Sequence, residues 1–225
     1  MKKPLLLAAL LGLVVVPALA DITPIPQGTT LNHMTVDLGS GQTHQRVTTA
    51  IYADLTTSGY YTNQVGNAVA DDIHASMGGI VTGVTFGYYS PNSGTWTAVV
   101  RLIGNTSTDS IYTPVLGSFA VTGLSGGAWA IGVTGLTIPV GQDFWFEVTY
   151  SAVMGNIGPL ITNNPGGTVG YSHYWFSKNA TVGGIPPLYA FSTLWGDFYH
   201  AVWVPEPGTL ALLGLSGLLV LARRR

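Results

Sequence analysis

The chain of 225 residues contains no cysteine. Disulfides, thiolate metal sites and cysteine nucleophiles are therefore excluded, and any folded domain must be held by its core alone. A domain of this size buries about 70% of its unfolded surface, which is enough without a covalent staple. Charge is scarce too: Asp, Glu, Lys and Arg make up 8% of the residues, where soluble domains carry about 25%. Five of the eight basic residues are Lys2, Lys3, Arg223, Arg224 and Arg225, so residues 21–204 keep only Arg46, Arg101 and Lys178. Against these stand nine acidic residues, a formal charge of −6. Such a surface repels phosphate backbones, which excludes nucleic acid as a partner and disfavours anionic lipid. Apolar residues are plentiful at 47%, yet between the two ends no run approaches the roughly 18 residues of a membrane helix.

What is present concentrates first at the ends. Met1-Lys2-Lys3, an apolar stretch over residues 5–16, Pro17 and the small-x-small pattern Ala18-Leu19-Ala20 read as a secretory signal peptide over residues 1–20. Cleavage after Ala20 leaves Asp21 as the mature N-terminus, making the secretion machinery and signal peptidase the first partners. An uncleaved anchor is the alternative. At the other end, Pro205-Glu206-Pro207 precedes an apolar run over residues 210–222 and the basic cluster Arg223-Arg224-Arg225. Each proline fixes its own φ and pushes the preceding residue toward extended geometry, as a processing enzyme requires. As a helix the apolar run rises about 20 Å, short of a hydrocarbon core of about 30 Å. With the arginines snorkelling it can insert transiently, while a permanent tail anchor would be poorly matched. Both apolar segments have their positive flank on the same side, so residues 21–204 are expected to be exported.

In order and spacing the tail resembles the PEP-CTERM sorting signal: Val204-Pro205-Glu206-Pro207, Thr209, Leu210-Ala211-Leu212-Leu213-Gly214-Leu215 and the terminal arginines. The resemblance implies recognition by an exosortase, removal of the hydrophobic tail, and sorting to the surface or exopolysaccharide matrix of a bacterium. It divides the chain into signal peptide (1–20), extended lead (21–30), ectodomain (31–202) and sorting signal (203–225). Within the signal lie the motif at 205–207, a hydrophobic helix at 209–222 and a basic tail at 223–225. In the body, Gly59-Tyr60-Tyr61, Val69-Ala70-Asp71-Asp72-Ile73 and Val84-Thr85-Phe86-Gly87-Tyr88-Tyr89 resemble the opening of a sandwich ectodomain that PEP-CTERM proteins often carry.

Between the ends, short runs rich in Val, Ile, Thr and aromatic residues alternate with Gly, Asn, Pro and Ser clusters. This is the pattern of an all-β domain. Strands are expected at 80–89, 95–103, 111–121, 128–138, 143–150, 168–177 and 198–204, with hairpin turns at 91–94 and 123–127. Trp96, Ala98, Val100 and Leu102 share one strand face, as do Phe144, Phe146, Val148 and Tyr150, while Glu147 falls on the opposite, polar side. The architecture expected is a two-sheet antiparallel, jelly-roll-like sandwich, with helices only at the two ends.

Candidate chemistry is sparse, and no catalytic residue is assigned. Gly123-Leu124-Ser125-Gly126-Gly127 matches the G-x-S-x-G nucleophile elbow, but a strand-like run follows where a helix is needed, so a turn is the simpler reading. Glu147 is the single glutamate of residues 21–204, which argues against a glycosidase carboxylate pair without an aspartate. His33, His44, His74, His173 and His200 show no ligand spacing. Asp71 and Asp72 form a weak calcium candidate, since adjacent strand residues point to opposite faces and one at most should face inward. No other cofactor is expected. Tyr171, His173 and Trp175 would line one strand face as a stacking platform for polysaccharide, unless that face is core. The leading expectation is thus a non-enzymatic, exosortase-sorted surface or matrix protein. The alternatives are a carbohydrate-binding module and a divergent secreted hydrolase.

Overall fold

A computed structural model of the chain describes residues 22–39, 48–61, 66–104, 114–152, 156–162, 169–172, 174–179, 189–192 and 197–206. Among these the regular structure is β throughout, in keeping with the composition. In chain order the strands are β1 (Ile22–Pro24), β2 (Leu31–Asp37), β3 (Thr48–Asp54), β4 (Gly59–Tyr61), β5 (Asn67–His74), β6 (Gly79–Ile103) and β7 (Val115–Val140). There follow β8 (Asp143–Ala152), β9 (Gly158–Thr162), β10 (Tyr174–Asn179), β11 (Tyr189–Ser192), β12 (Asp197–Phe198) and β13 (His200–Pro205). Residues 1–20, expected to form a signal peptide, Asp21 and the tail from Pro207 to Arg225 lie outside the described residues. No helix among the described residues is long and apolar enough to cross a membrane.

Two expected turns are not turns. Pro91-Asn92-Ser93-Gly94 lies within β6 and Gly123–Gly127 within β7, because both strands run through these points and bend together. Ser90 pairs with Gly127 and Thr95 with Ser125, so four residues of β6 oppose one of β7 in a large bulge. The glycines permit it: a Cβ on Gly126 would sit 2.2 Å from the Asn92 carbonyl oxygen, and Gly127 has φ of 101°. Tyr88 donates its hydroxyl to the Ser125 carbonyl at 2.7 Å and pins the bend.

That bend determines the architecture. Before it, β6 pairs with β7 on one side and with β13 and β9 on the other; beyond it, β6 pairs with β7 and β8. One long strand thereby serves two half-layers, and the strands join into a single 13-stranded sheet that curls on itself. The all-β, mainly antiparallel class is as expected; in place of a resolved pair of face-to-face sheets the described strands form one curled sheet that turns its corner through bulges. The pairing is antiparallel except for β2, which runs parallel to β7 from Leu31↔Ala128 to Asp37↔Thr134.

The main core fills the curl. Trp96, Ala98, Val100 and Leu102 are buried as their alternation predicts, and they meet Val84, Phe86 and Tyr88 from the first half of β6, with Phe144, Phe146, Val148 and Tyr150 from β8. Each Val, Leu or Phe side chain among them contributes about 1.5–3 kcal/mol on burial. A smaller cluster of Tyr60, Tyr89, Ala128, Ala130, Leu160 and Tyr199 packs beside it. Strand β8 departs from expectation, because Trp145 and Glu147 are as buried as the core residues alternating with them. It lies between β5 and β6 and is covered on both faces.

Candidate functional site

Strand β5 carries Asp71 and Asp72 into the interior, 1% and 2% exposed. The expectation that only one faces inward fails, because β5 lies between β8 and β10 and residues 169–172 run along its edge. There His74 N–H donates to the Tyr171 carbonyl at 2.8 Å, and Tyr171 N–H returns the bond at 3.1 Å. Buried Ser172 donates its hydroxyl to Asp71 Oδ1 and also reaches Asp72 Oδ1, at 3.3 Å. Asp71 Oδ2 accepts from Phe198 N–H at 3.4 Å. One carboxylate thus joins β5, the 169–172 segment and β12.

His200 completes the inner side. Its ring is stacked between Tyr52 and Phe146, with centroid separations of 4.9 and 4.8 Å. Nε2 lies 3.4 Å from Asp71 Oδ2 but lacks the alignment of a hydrogen bond. Burial pushes the imidazole down to about 3, so it is neutral at physiological pH. On the other side of β5, His74 places Nε2 at 3.2 Å from Asp72 Oδ2 and Nδ1 at 2.8 Å from Asp143 Oδ1. The half-exposed Tyr171 ring lies flat on His74, with centroids 4.6 Å apart and planes 17° apart.

These groups bind one another more than they offer a site. Among the described residues no set of three His, Asp or Glu is arranged to hold a metal ion. The carboxylates of Asp71 and Asp72 already accept hydrogen bonds from the protein. The hydrolase candidates fare similarly. Ser125 is exposed within β7 and is followed by strand, not helix. Glu147, expected at the solvent face, is fully buried and held by its cross-strand neighbour Arg101, through Nε at 2.6 Å and through Nη2.

Of the aromatic platform, the described residues include Tyr171 and the strand position of Trp175. Tyr171 bridges to His74, while Trp175 pairs with Asp71, so four steps along one segment match three along the other. His173 lies outside the described residues.

The C-terminal strand brings the domain directly to its tail. β13 pairs with β6 from His200↔Phe86 to Trp203↔Gly83, and with β3 from His200↔Asp54 to Pro205↔Thr48. Ala201, Val202 and Val204 are buried, and Pro205 and Glu206 are half-buried. No linker separates the last strand from Glu206. From Val204 to the end, residues 204–225 match the family described as PEP-CTERM protein-sorting motif.

The tail is a PEP-CTERM sorting signal. A PEP-CTERM signal implies an exported protein that is anchored or released through an exosortase at the cell surface. The match covers about a tenth of the chain and describes where the domain goes. No curated protein and no solved structure matches the chain. Of the PEP-CTERM residues, Val204 to Glu206 belong to the described structure; Pro207 and the arginines at 223–225 lie outside it, as do Ala18 and Ala20 at the other end.

Sequence reasoning missed Ser172 and His200 as partners of Asp71. Neither has a motif, and both are brought to β5 from at least 101 residues away in the chain. The Arg101–Glu147 pair did carry a signal: a lone Arg and a lone Glu, each inside an apolar strand.

Proposed function

We propose that the protein is a non-enzymatic component of the bacterial surface or extracellular matrix, retained in exopolysaccharide. Signal peptidase first exposes Asp21, the short apolar tail holds a membrane-inserted precursor, and the exosortase then frees or transfers the domain. The carrying observation is the join itself: a core strand continues without a linker into the sorting signal, so the β domain is the cargo. A non-enzymatic role draws support from Asp71, Asp72 and Glu147, which are buried and held by Ser172, His74 and Arg101.

The test is intact-mass analysis of protein recovered from the cell surface, in wild type and in strains lacking the exosortase or the exopolysaccharide. The expected results are a mass ending near Pro205-Glu206-Pro207 in wild type, full-length precursor without exosortase, and release into the medium without polysaccharide. A surface protein that retains Arg225 in wild type would overturn sorting. Unchanged retention without polysaccharide would overturn the matrix role.

One observation favours a second reading, carbohydrate recognition. The Tyr171 ring is 48% exposed and backed by His74, a flat surface suited to a sugar ring. Loss of polysaccharide binding in Tyr171→Ala would support it, and absence of binding in wild type would end it.

A further inference from the structure

Val204 and Pro205 belong both to the last core strand and to the sorting signal. Enzymes that act on peptide bonds take their substrate extended and bond its main chain, as an added strand would be bonded. At residues 204 and 205 that main chain is already committed, Val204 to Thr49 and Pro205 to Thr48 of β3. The Val204 side chain is buried, and a Cβ on Gly79 would lie 3.3 Å from its Cγ1.

The strand end is nonetheless built to open. Pairing with β6 stops at Trp203↔Gly83, so beyond that point β3 alone holds the chain. The register of the β3 ladder also shifts between Val202 and Trp203. Pro205 has no N–H to donate, which weakens the last rung. We infer that the end of β13, Val204 to Pro205, peels from β3 to enter the exosortase, and that this local opening sets the rate of processing. The inference rests on the sorting reading above. It adds that the folded domain shields its own signal.

The experiment follows precursor-to-product conversion of the full chain by pulse-chase and intact mass in the producing bacterium. Inserting Gly-Ser-Gly-Ser-Gly-Val-Pro between Pro205 and Glu206 rebuilds Val-Pro-Glu-Pro downstream and leaves β13 whole. Conversion should then run at least about tenfold faster, because no strand has to open. An unchanged or slower rate overturns the inference. A second arm uses the absence of native cysteine: Thr49→Cys with Val204→Cys links facing positions of β3 and β13. The oxidised form should accumulate as precursor, and reductant should release it. Equal conversion in both redox states also overturns the inference. If Val204→Cys blocks conversion in both states, the spacer comparison decides alone. A wild-type chain that keeps its tail overturns the sorting reading instead, so the two failures are distinct.

Discussion

Strands β5 and β13 are both interior and both bonded on two sides, but they meet burial in opposite ways. β5 carries Asp71, Asp72 and His74 and relies on partners from elsewhere: Ser172, Phe198, Asp143 and the facing ring of His200. After His200, β13 carries Ala201, Val202, Trp203 and Val204, and its burial is apolar. Both solutions depend on the last part of the chain. The groups that satisfy β5 include residues 172 and 198, and β13 itself fills the space between β3 and β6. The fold therefore closes only when the residues just before the sorting signal are in place. Export of the whole cargo, completion of its core and presentation of its signal occur at adjacent positions of the chain.

The comparison breaks most visibly by truncation. A mature domain ending at Tyr199 lacks β13 and loses the burial of Ala201, Val202 and Val204 together with two ladders. With about 1.5–3 kcal/mol for each large apolar side chain and a total stability of about 5–15 kcal/mol, it should not fold. Circular dichroism should show no cooperative melt. A domain ending at Glu206 should melt cooperatively, and failure to do so would mean that the core extends into the tail.

A smaller effect is expected at another buried carboxylate, Glu147. Replacing Arg101 by Met leaves that carboxylate buried without its cross-strand cation. The cost should be about 2–4 kcal/mol in urea unfolding, below the fully buried limit because the Arg101 side chain is 35% exposed. The double variant Arg101→Met, Glu147→Leu should recover most of the loss, since an apolar pair needs no desolvation of charge. If the single variant is neutral, solvent reaches Glu147 and β8 is not covered on both faces.

His200 links the two strands, and pH tests the link. Burial depresses its folded pKa from 6.5 to about 3. The unfolded chain therefore takes up a proton first. The stabilisation due to neutral His200 is complete above about pH 6.5 and declines by up to about 1.4 kcal/mol per pH unit on acidification toward 3. His200→Phe should flatten that part of the stability profile. An unaltered acid limb would place the titration elsewhere.

How much of this was legible in the sequence follows from what each feature depends on. The all-β class and the buried face of Trp96, Ala98, Val100 and Leu102 depend on local alternation and were legible. The sorting signal depends on residue order within one segment and was legible too. The bulge at 91–94 carries the same Pro, Asn, Ser and Gly as a hairpin turn, and only pairing across to Gly126 and Gly127 separates the two. Likewise Glu147 is an ordinary outward residue by period two, and its burial comes from the placement of β8 between β5 and β6. In each case the missing information is long-range pairing.

The smallest effect expected is that of chelation, and it bears directly on what Asp71 and Asp72 are for. Adjacent aspartates in an exported protein invite a calcium reading, and calcium takes about six to eight oxygen ligands. Here Asp71 accepts from Ser172 and from the Phe198 N–H, and Asp72 faces Ser172 and His74. A cation would have to displace these donors from the two carboxylates. Removing divalent ions with EDTA should therefore leave the melting temperature unchanged, while Ser172→Ala, which strips a donor from both carboxylates, should lower stability by about 1–3 kcal/mol. A drop of several degrees in EDTA that calcium reverses would show that the cluster is a metal site. The bonds of Asp71 to Ser172 and Phe198 would then describe its empty form, and β5 would resemble β13 in being completed only after export.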